Sequence, residues 1–177
     1  MNNVPNLGTL ENYAPYALRG WEYKKKEVIS MAFKIGGNVL QGVLGNMSEV
    51  SADSLTQEFG AYLMDGETIQ TGFKLVRDAI IITDRRILDF DRQGATGQKM
   101  RVDSIYLDSV FHVTAETAGF GVDDSELEIS YITTPYLKAH GLDIASKKFE
   151  FPKKYNIQTL YKMLQELAYE NYKRLNG

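Results

Sequence analysis

Cysteine is absent from this chain of 177 residues. Disulfides, thiolate nucleophiles and cysteine-ligated zinc or iron–sulfur centres are therefore excluded, and a cytoplasmic location is the simplest expectation. Histidine is scarce. His112 and His140 are the only side chains that titrate near neutral pH when unperturbed, and neither has a Ser or Asp at a spacing used for nucleophilic catalysis. No apolar run approaches the length of a membrane span, and the N-terminus lacks the basic-then-apolar layout of a signal peptide. Positive charge is not in excess either. A formal net charge of −3 argues against a nucleic-acid binder that works by neutralising phosphates. Internal repeats and low-complexity tracts are also missing. No cofactor, no metal site and no enzymatic activity are expected from these residues.

What remains is a globular composition, with 44% hydrophobic and 24% charged residues, in a chain long enough for one domain and an appendage. Between Asp65 and Asp103 seven basic residues alternate with seven acidic ones, a mixture that reads as a solvated surface. Residues 1–30 carry no regular period, apart from a short helix-compatible stretch through Leu18, Trp21 and Lys24–Lys26. Lys26-Glu27-Val28 can be encoded as the core of a bacterial ribosome-binding site just ahead of Met31. Met31 is then a natural start and residues 1–30 a translated leader; a genuine N-terminal helix is the other reading.

Residues 31–64 read as a helical hairpin. Val39, Leu40, Val43, Leu44 and Met47 fall near helical spacing, the Gly45–Val50 stretch is a short link, and Ser51 or Asp53 can cap a second helix bearing Leu55, Phe59, Tyr62 and Leu63. Asp65-Gly66-Glu67 is a turn signal, after which residues 65–177 form a barrel domain of strands closed by one helix. Strands are expected at Thr68 to Leu75, Asp78 to Thr83, Arg86 to Asp91, Lys99 to Ile105, Ser109 to Thr117, Ser125 to Ile132 and Leu142 to Phe151. Ile80–Ile82 should be the most buried, and Phe111, Val113 and Ala115 should share one face of the fifth strand. Pro152 ends the last strand and Asn156 caps a helix whose apolar face holds Ile157, Leu160, Tyr161, Leu164, Leu167, Ala168 and Tyr172. Strands first and a single amphipathic helix last is the order of a small partly open barrel or orthogonal sandwich, a mainly β architecture with helices.

The Leu44-Gly45-Asn46 turn, Gly66-Glu67, Gly72-Phe73-Lys74, Arg77-Asp78, Ile82-Thr83-Asp84-Arg85-Arg86 and the Gln93-Gly94, Gly97 and Lys99 hairpin together resemble the bacterial pleckstrin-homology (PH) family. The resemblance runs from about Met31 to the end. It implies a seven-stranded partly open barrel capped by the C-terminal helix, a helical segment before it, and self-assembly into homo-oligomeric rings. Its members largely lack an assigned biochemical role.

Two functions follow as expectations. The first is a non-enzymatic binding or scaffolding module that self-associates, its partners being copies of itself and other proteins. Val39, Leu40, Val43, Leu44, Leu55, Phe59 and Tyr62 are then core or oligomer-interface residues. The second is peripheral binding of an anionic membrane lipid or a membrane-associated partner through Lys74 and Arg77, with Lys24–Lys26 in support. Two cations beside Asp78 are few for a phosphoinositide, because each phosphate oxygen needs a charge-assisted hydrogen bond. Asp123, Asp124, Glu126 and Glu128 lack the calcium-loop pattern and read as a solvated edge. Gly94–Lys99 lacks the Ser or Thr and the following helix of a phosphate loop.

Overall fold

The computed structural model describes residues 52–74, 78–93, 99–119, 124–151 and 155–177, together with Glu27, Ser48 and Glu49. Two antiparallel sheets face one another. The first has the order β1 (Ser48–Glu49), β2 (Ile69–Lys74), β3 (Ala79–Thr83), β4 (Arg86–Gln93) and β5 (Lys99–Tyr106); the second is β6 (Val110–Glu116), β7 (Ser125–Ile132) and β8 (Ile144–Phe151). Each expected strand is present with ends shifted by a residue or two, which is the usual uncertainty of boundaries read from pattern. Helix α1 (Ala52–Phe59) lies between β1 and β2 in the chain, and helix α2 (Ile157–Asn176) follows the sheets.

β3 is buried along its whole length because both faces of the first sheet are covered. Ile80 and Ile82 point between the sheets with Phe73, Ile87, Ile105, Val113, Leu127, Ile129 and the inner face of α2. Ala79 and Ile81 point the other way, into a second cluster where Leu55 and Phe59 of α1 meet Ile69, Leu88 and Phe90. α1 lies close against β2 at Gly72. A Cβ there would lie 2.6 Å from Leu55 Cδ1 and 3.2 Å from the Ile80 carbonyl oxygen, so only glycine lets α1 lie this close to β2.

Three expectations change. The Gly45–Val50 stretch is not a plain link, since Ser48 and Glu49 pair with Lys74 and Phe73 and extend the first sheet. Of the helical hairpin, α1 is the part seen; Val39, Leu40, Val43 and Leu44 lie outside the described residues, as does almost all of the N-terminal extension. On β6 the regular alternation fails. A register shift between Val110 and His112 lets Val110 and Val113 both face inward while Phe111 is only half-buried, the local effect of an extra residue in one strand. On α2, Tyr161 and Tyr172 sit on the exposed side, and Met163 and Asn171 are buried in their place. Asn156 caps this helix, accepting a hydrogen bond from the Gln158 N–H at 3.2 Å.

Burying Asn171 has a polar reason that a hydrophobic pattern cannot carry. Its side-chain amide donates to the Leu107 carbonyl at 2.8 Å and the Val110 carbonyl at 2.7 Å. These carbonyls flank the one-turn helix Leu107–Ser109 that passes the chain from one sheet to the other. Arg174 donates to the Asp108 carbonyl at 2.9 Å in the same turn. The C-terminal half of α2 thereby fixes the corner between β5 and β6.

Candidate functional site

Of the family-like signature residues, Glu67, Thr83, Asp84, Arg85 and Arg86 meet in one cluster of the first sheet. The Glu67 carboxylate accepts from the Met64 N–H at 2.8 Å, the Thr83 hydroxyl at 2.7 Å, and Arg86 Nε and Nη2 at 2.9 Å each. Arg86 completes its fork by donating to Ser104 Oγ at 2.9 Å and the Tyr62 carbonyl at 2.8 Å. The Glu67 side chain is 0% exposed and that of Arg86 11%. Burial alone would raise the Glu67 pKa, but hydrogen bonds from Arg86, the Met64 N–H and Thr83, with the Arg86 charge, outweigh it and hold the carboxyl at about 2. The same pairing raises the Arg86 pKa. The adjacent turn is locked by the Thr68 N–H on Asp84 Oδ1 at 2.8 Å and by the Arg85 and Arg86 N–H groups on Thr83 Oγ1. The Glu67 carboxylate, the Thr83 hydroxyl and the Arg86 guanidinium are each engaged by the fold, so this pairing reads as structural.

A second set of residues gathers at the splayed corner of the sandwich. Phe73, Ile80 and Asp89 form one row across β2, β3 and β4. Phe151 contacts Phe73 with ring centres 5.7 Å apart, and Lys147 forms an ion pair with Asp89. β8 therefore crosses these three strands, laying residues 151, 149 and 147 along the row. Beyond it opens a cleft of about 230 Å3 lined by Asp78, Asp89, Asp91, Lys147, Phe149 and Glu150, with Ile80 and Lys148 completing it. The loops 75–77 and 94–98 leave from this end of the first sheet; they are outside the described residues.

The corner is acidic. Asp89 is almost wholly buried and is neutralised by Lys147. Among the described residues, Asp78 accepts the Arg92 backbone N–H at 3.2 Å and Asp91 the Gln93 side-chain amide at 3.2 Å. Around the flank of β8, Glu116 lies opposite Glu126 and Glu126 opposite Glu150. Lys148 sits among them and bonds Glu126 at 2.7 Å. Its pKa is raised, first by that hydrogen bond and the Glu126 charge, with Glu128 and Glu116 adding to it. Among the described basic residues, Arg86 pairs with Glu67 and Arg92 with Glu58 at 3.6 Å, while Arg101, opposite Asp91 on the neighbouring strand, bonds Asp103 at 2.6 Å. Among the described residues, carboxylates therefore outnumber the cations that line this cleft. Asp89 and Asp91, two apart on one strand, share a face by alternation, and that was the signal available for finding the corner.

The residues singled out from sequence fall in different places. Lys74 Nζ bonds Glu58 Oε2 at 2.6 Å, with about a third or more of each side chain exposed, and Arg77 is outside the described residues. Leu55 and Phe59 are buried within the chain, while Tyr62 is 42% exposed and packs edge-on against Phe90 at 5.1 Å. His112 is on the exposed face of β6, 3.3 Å from the Thr114 hydroxyl, and His140 is exposed in the loop before β8. Among the described residues no group of three or more His, Cys, Asp or Glu is arranged to hold a metal ion. No helix among them is long and apolar enough to cross a membrane.

Comparison with known proteins agrees with this architecture. The uncharacterized protein YjqA of Bacillus subtilis is 38% identical over 111 residues, covering 63% of this chain and 84% of that protein. The crystal structure of a PH domain from Shewanella amazonensis is 30% identical, covers 73% of this chain and 98% of its own, and superposes with a TM-score of 0.52. A protein with a PH domain from Shewanella loihica gives 27%, 71%, 99% and 0.53 in the same measures. The family model described as the bacterial PH domain matches residues 38–168, and with the sandwich and its capping helix in place, the chain belongs to the bacterial PH-domain family.

Proposed function

We propose that this protein is a non-catalytic binding module that assembles with copies of itself through a sheet edge, closing into a ring. The observation that carries the reading is the outer edge of β5. It spans Lys99–Tyr106 at the end of the first sheet and has no strand beside it among the described residues. An unpaired edge of that length presents a row of backbone donors and acceptors, and pairing with another strand is a common way to satisfy them. Tyr106 at its end is 56% exposed, giving the edge an aromatic anchor of the kind enriched at interfaces. A repeated head-to-tail contact of this sort closes into a ring when the rotation per subunit divides a full turn. No group of side chains among the described residues has the geometry of a nucleophile and its base, which favours binding over catalysis.

The membrane reading has less support. The Lys74 ammonium is already bridged to Glu58, and the neighbouring corner carries carboxylates that repel anionic headgroups. Multi-angle light scattering on the full chain and on a version starting at Met31 tests the assembly. A defined oligomer in both is expected, and R101E with Y106D on β5 should reduce it to a monomer of unchanged circular dichroism. A monomeric wild type at all accessible concentrations overturns the proposal. Salt-sensitive sedimentation with phosphatidylserine vesicles, lost in K74A, moves the assignment to the membrane.

A further inference from the structure

We propose that the splayed corner of the sandwich is a strand-addition site for an extended, lysine- or arginine-bearing segment of a partner protein, which pairs with the outer edge of β8 and lays its basic side chains over Asp78 and Asp91. This site is separate from the β5 edge and does not depend on self-association.

Three features converge on it. β8 is the terminal strand of the second sheet and has no strand on its outer side among the described residues, so its backbone groups there are open to a ladder. That edge borders the cleft, because β8 crosses the row Phe73, Ile80 and Asp89, and among the described residues the cleft is lined by the ends of β3 and β4. A strand placed beside β8 would run over those ends, where alternate side chains reach the cleft floor. The third feature is charge. Asp78, Asp89, Asp91 and Glu150 line the cleft, Glu116, Glu126 and Glu128 follow on the outer flank of β7 and β6, and Lys147 and Lys148 are already held by Asp89 and Glu126.

That arrangement selects among occupants. An anionic headgroup or an acidic peptide meets like charge at the floor. A small cation lacks a converging set of ligands among the described residues. A basic extended segment meets both demands, backbone pairing from the edge and opposite charge from the floor, and the alternation of a strand delivers every second side chain to the carboxylates.

The test uses the full-length protein and fluorescein-labelled peptides as long as β8, read by anisotropy at physiological salt. A peptide of alternating lysine and threonine should bind, and one of alternating glutamate and threonine should not. Methylating alternate backbone nitrogens of the lysine peptide should abolish binding on the ladder-facing side, because a donor is lost while the charge stays. D78N and D91N should each weaken binding about tenfold, as loss of a charge-assisted contact does. Amide hydrogen exchange of the wild type should slow in β8 on adding the peptide. Equal binding of the methylated and unmethylated peptides in both methylation registers, binding indifferent to D78N and D91N, no binding at all, or displacement of the peptide by phosphatidylserine vesicles would each overturn the proposal.

Discussion

Replacing Glu67 by Gln should destabilise the protein by about 3–5 kcal/mol at neutral pH, the range for breaking a buried ion pair from one side. The structure supplies the reasons. The carboxylate takes four hydrogen bonds, two of them from one guanidinium, and its side chain has no exposed surface. A glutamine turns one of those acceptors into a donor facing Arg86 and leaves the cation enclosed without its counter-charge. The magnitude can be approached independently through protonation. A carboxyl held at about 2 rather than 4.5 contributes about 3 kcal/mol of stability. Because the folded-state pKa is depressed, that contribution is fully present above pH 4.5 and is lost as the pH falls from about 4.5 to about 2. Urea unfolding of the wild type and E67Q, followed by far-ultraviolet circular dichroism at a series of pH values, measures both quantities. The gap between the two proteins should be constant from neutral pH down to about 5 and close steadily below 4.5, since other carboxylates titrate alike in both. A gap below about 1 kcal/mol at neutral pH, or one that does not narrow in acid, would refute the argument that this pair anchors the α1 end of the sheet.

Two further substitutions probe the packing on either side of the first sheet. G72A should cost about 1–3 kcal/mol, because the added methyl meets Leu55 at 2.6 Å and a fixed carbonyl at 3.2 Å; combining it with L55A should give a double-mutant cycle with strong positive coupling, whereas simple additivity would show that α1 does not lie on Gly72. N171L keeps the volume but removes both donors to the Leu107 and Val110 carbonyls. It should cost about 1–3 kcal/mol in thermal or chemical unfolding, and an unchanged or raised midpoint would remove the polar role assigned to Asn171.

Much of the fold was legible because the physics that sets it is local. Turn residues mark each hairpin, alternation marks most strands, and the period of α2 together with Asn156 marks its start. Where alternation failed, on β6, a bulge had changed the count, and a bulge is decided by the partner strand as well as by the strand itself. On α2 the burial departs from the hydrophobic pattern at Tyr161, Tyr172 and Asn171 for a related reason. Hydrophobicity ranks asparagine as exposed until two carbonyls sixty residues away in sequence need its amide.

The sequence by itself determined the element order, the absence of cysteine chemistry and the signature residues that mark the bacterial PH family. It also held Gly66-Glu67, Gly72 and Thr83–Arg86, but not what they do. Tertiary structure alone decided that Glu67, Thr83 and Arg86 form one hydrogen-bonded cluster and that Gly72 is the point of contact with α1. The crossing of β8 over the first sheet brought Lys147 to Asp89 and gathered Asp78, Asp89, Asp91 and Glu150 around one cleft. The physical reason is that periodicity depends on neighbours along the chain, whereas Coulomb and packing energies depend on distance in space, and folding sets the second without regard to the first.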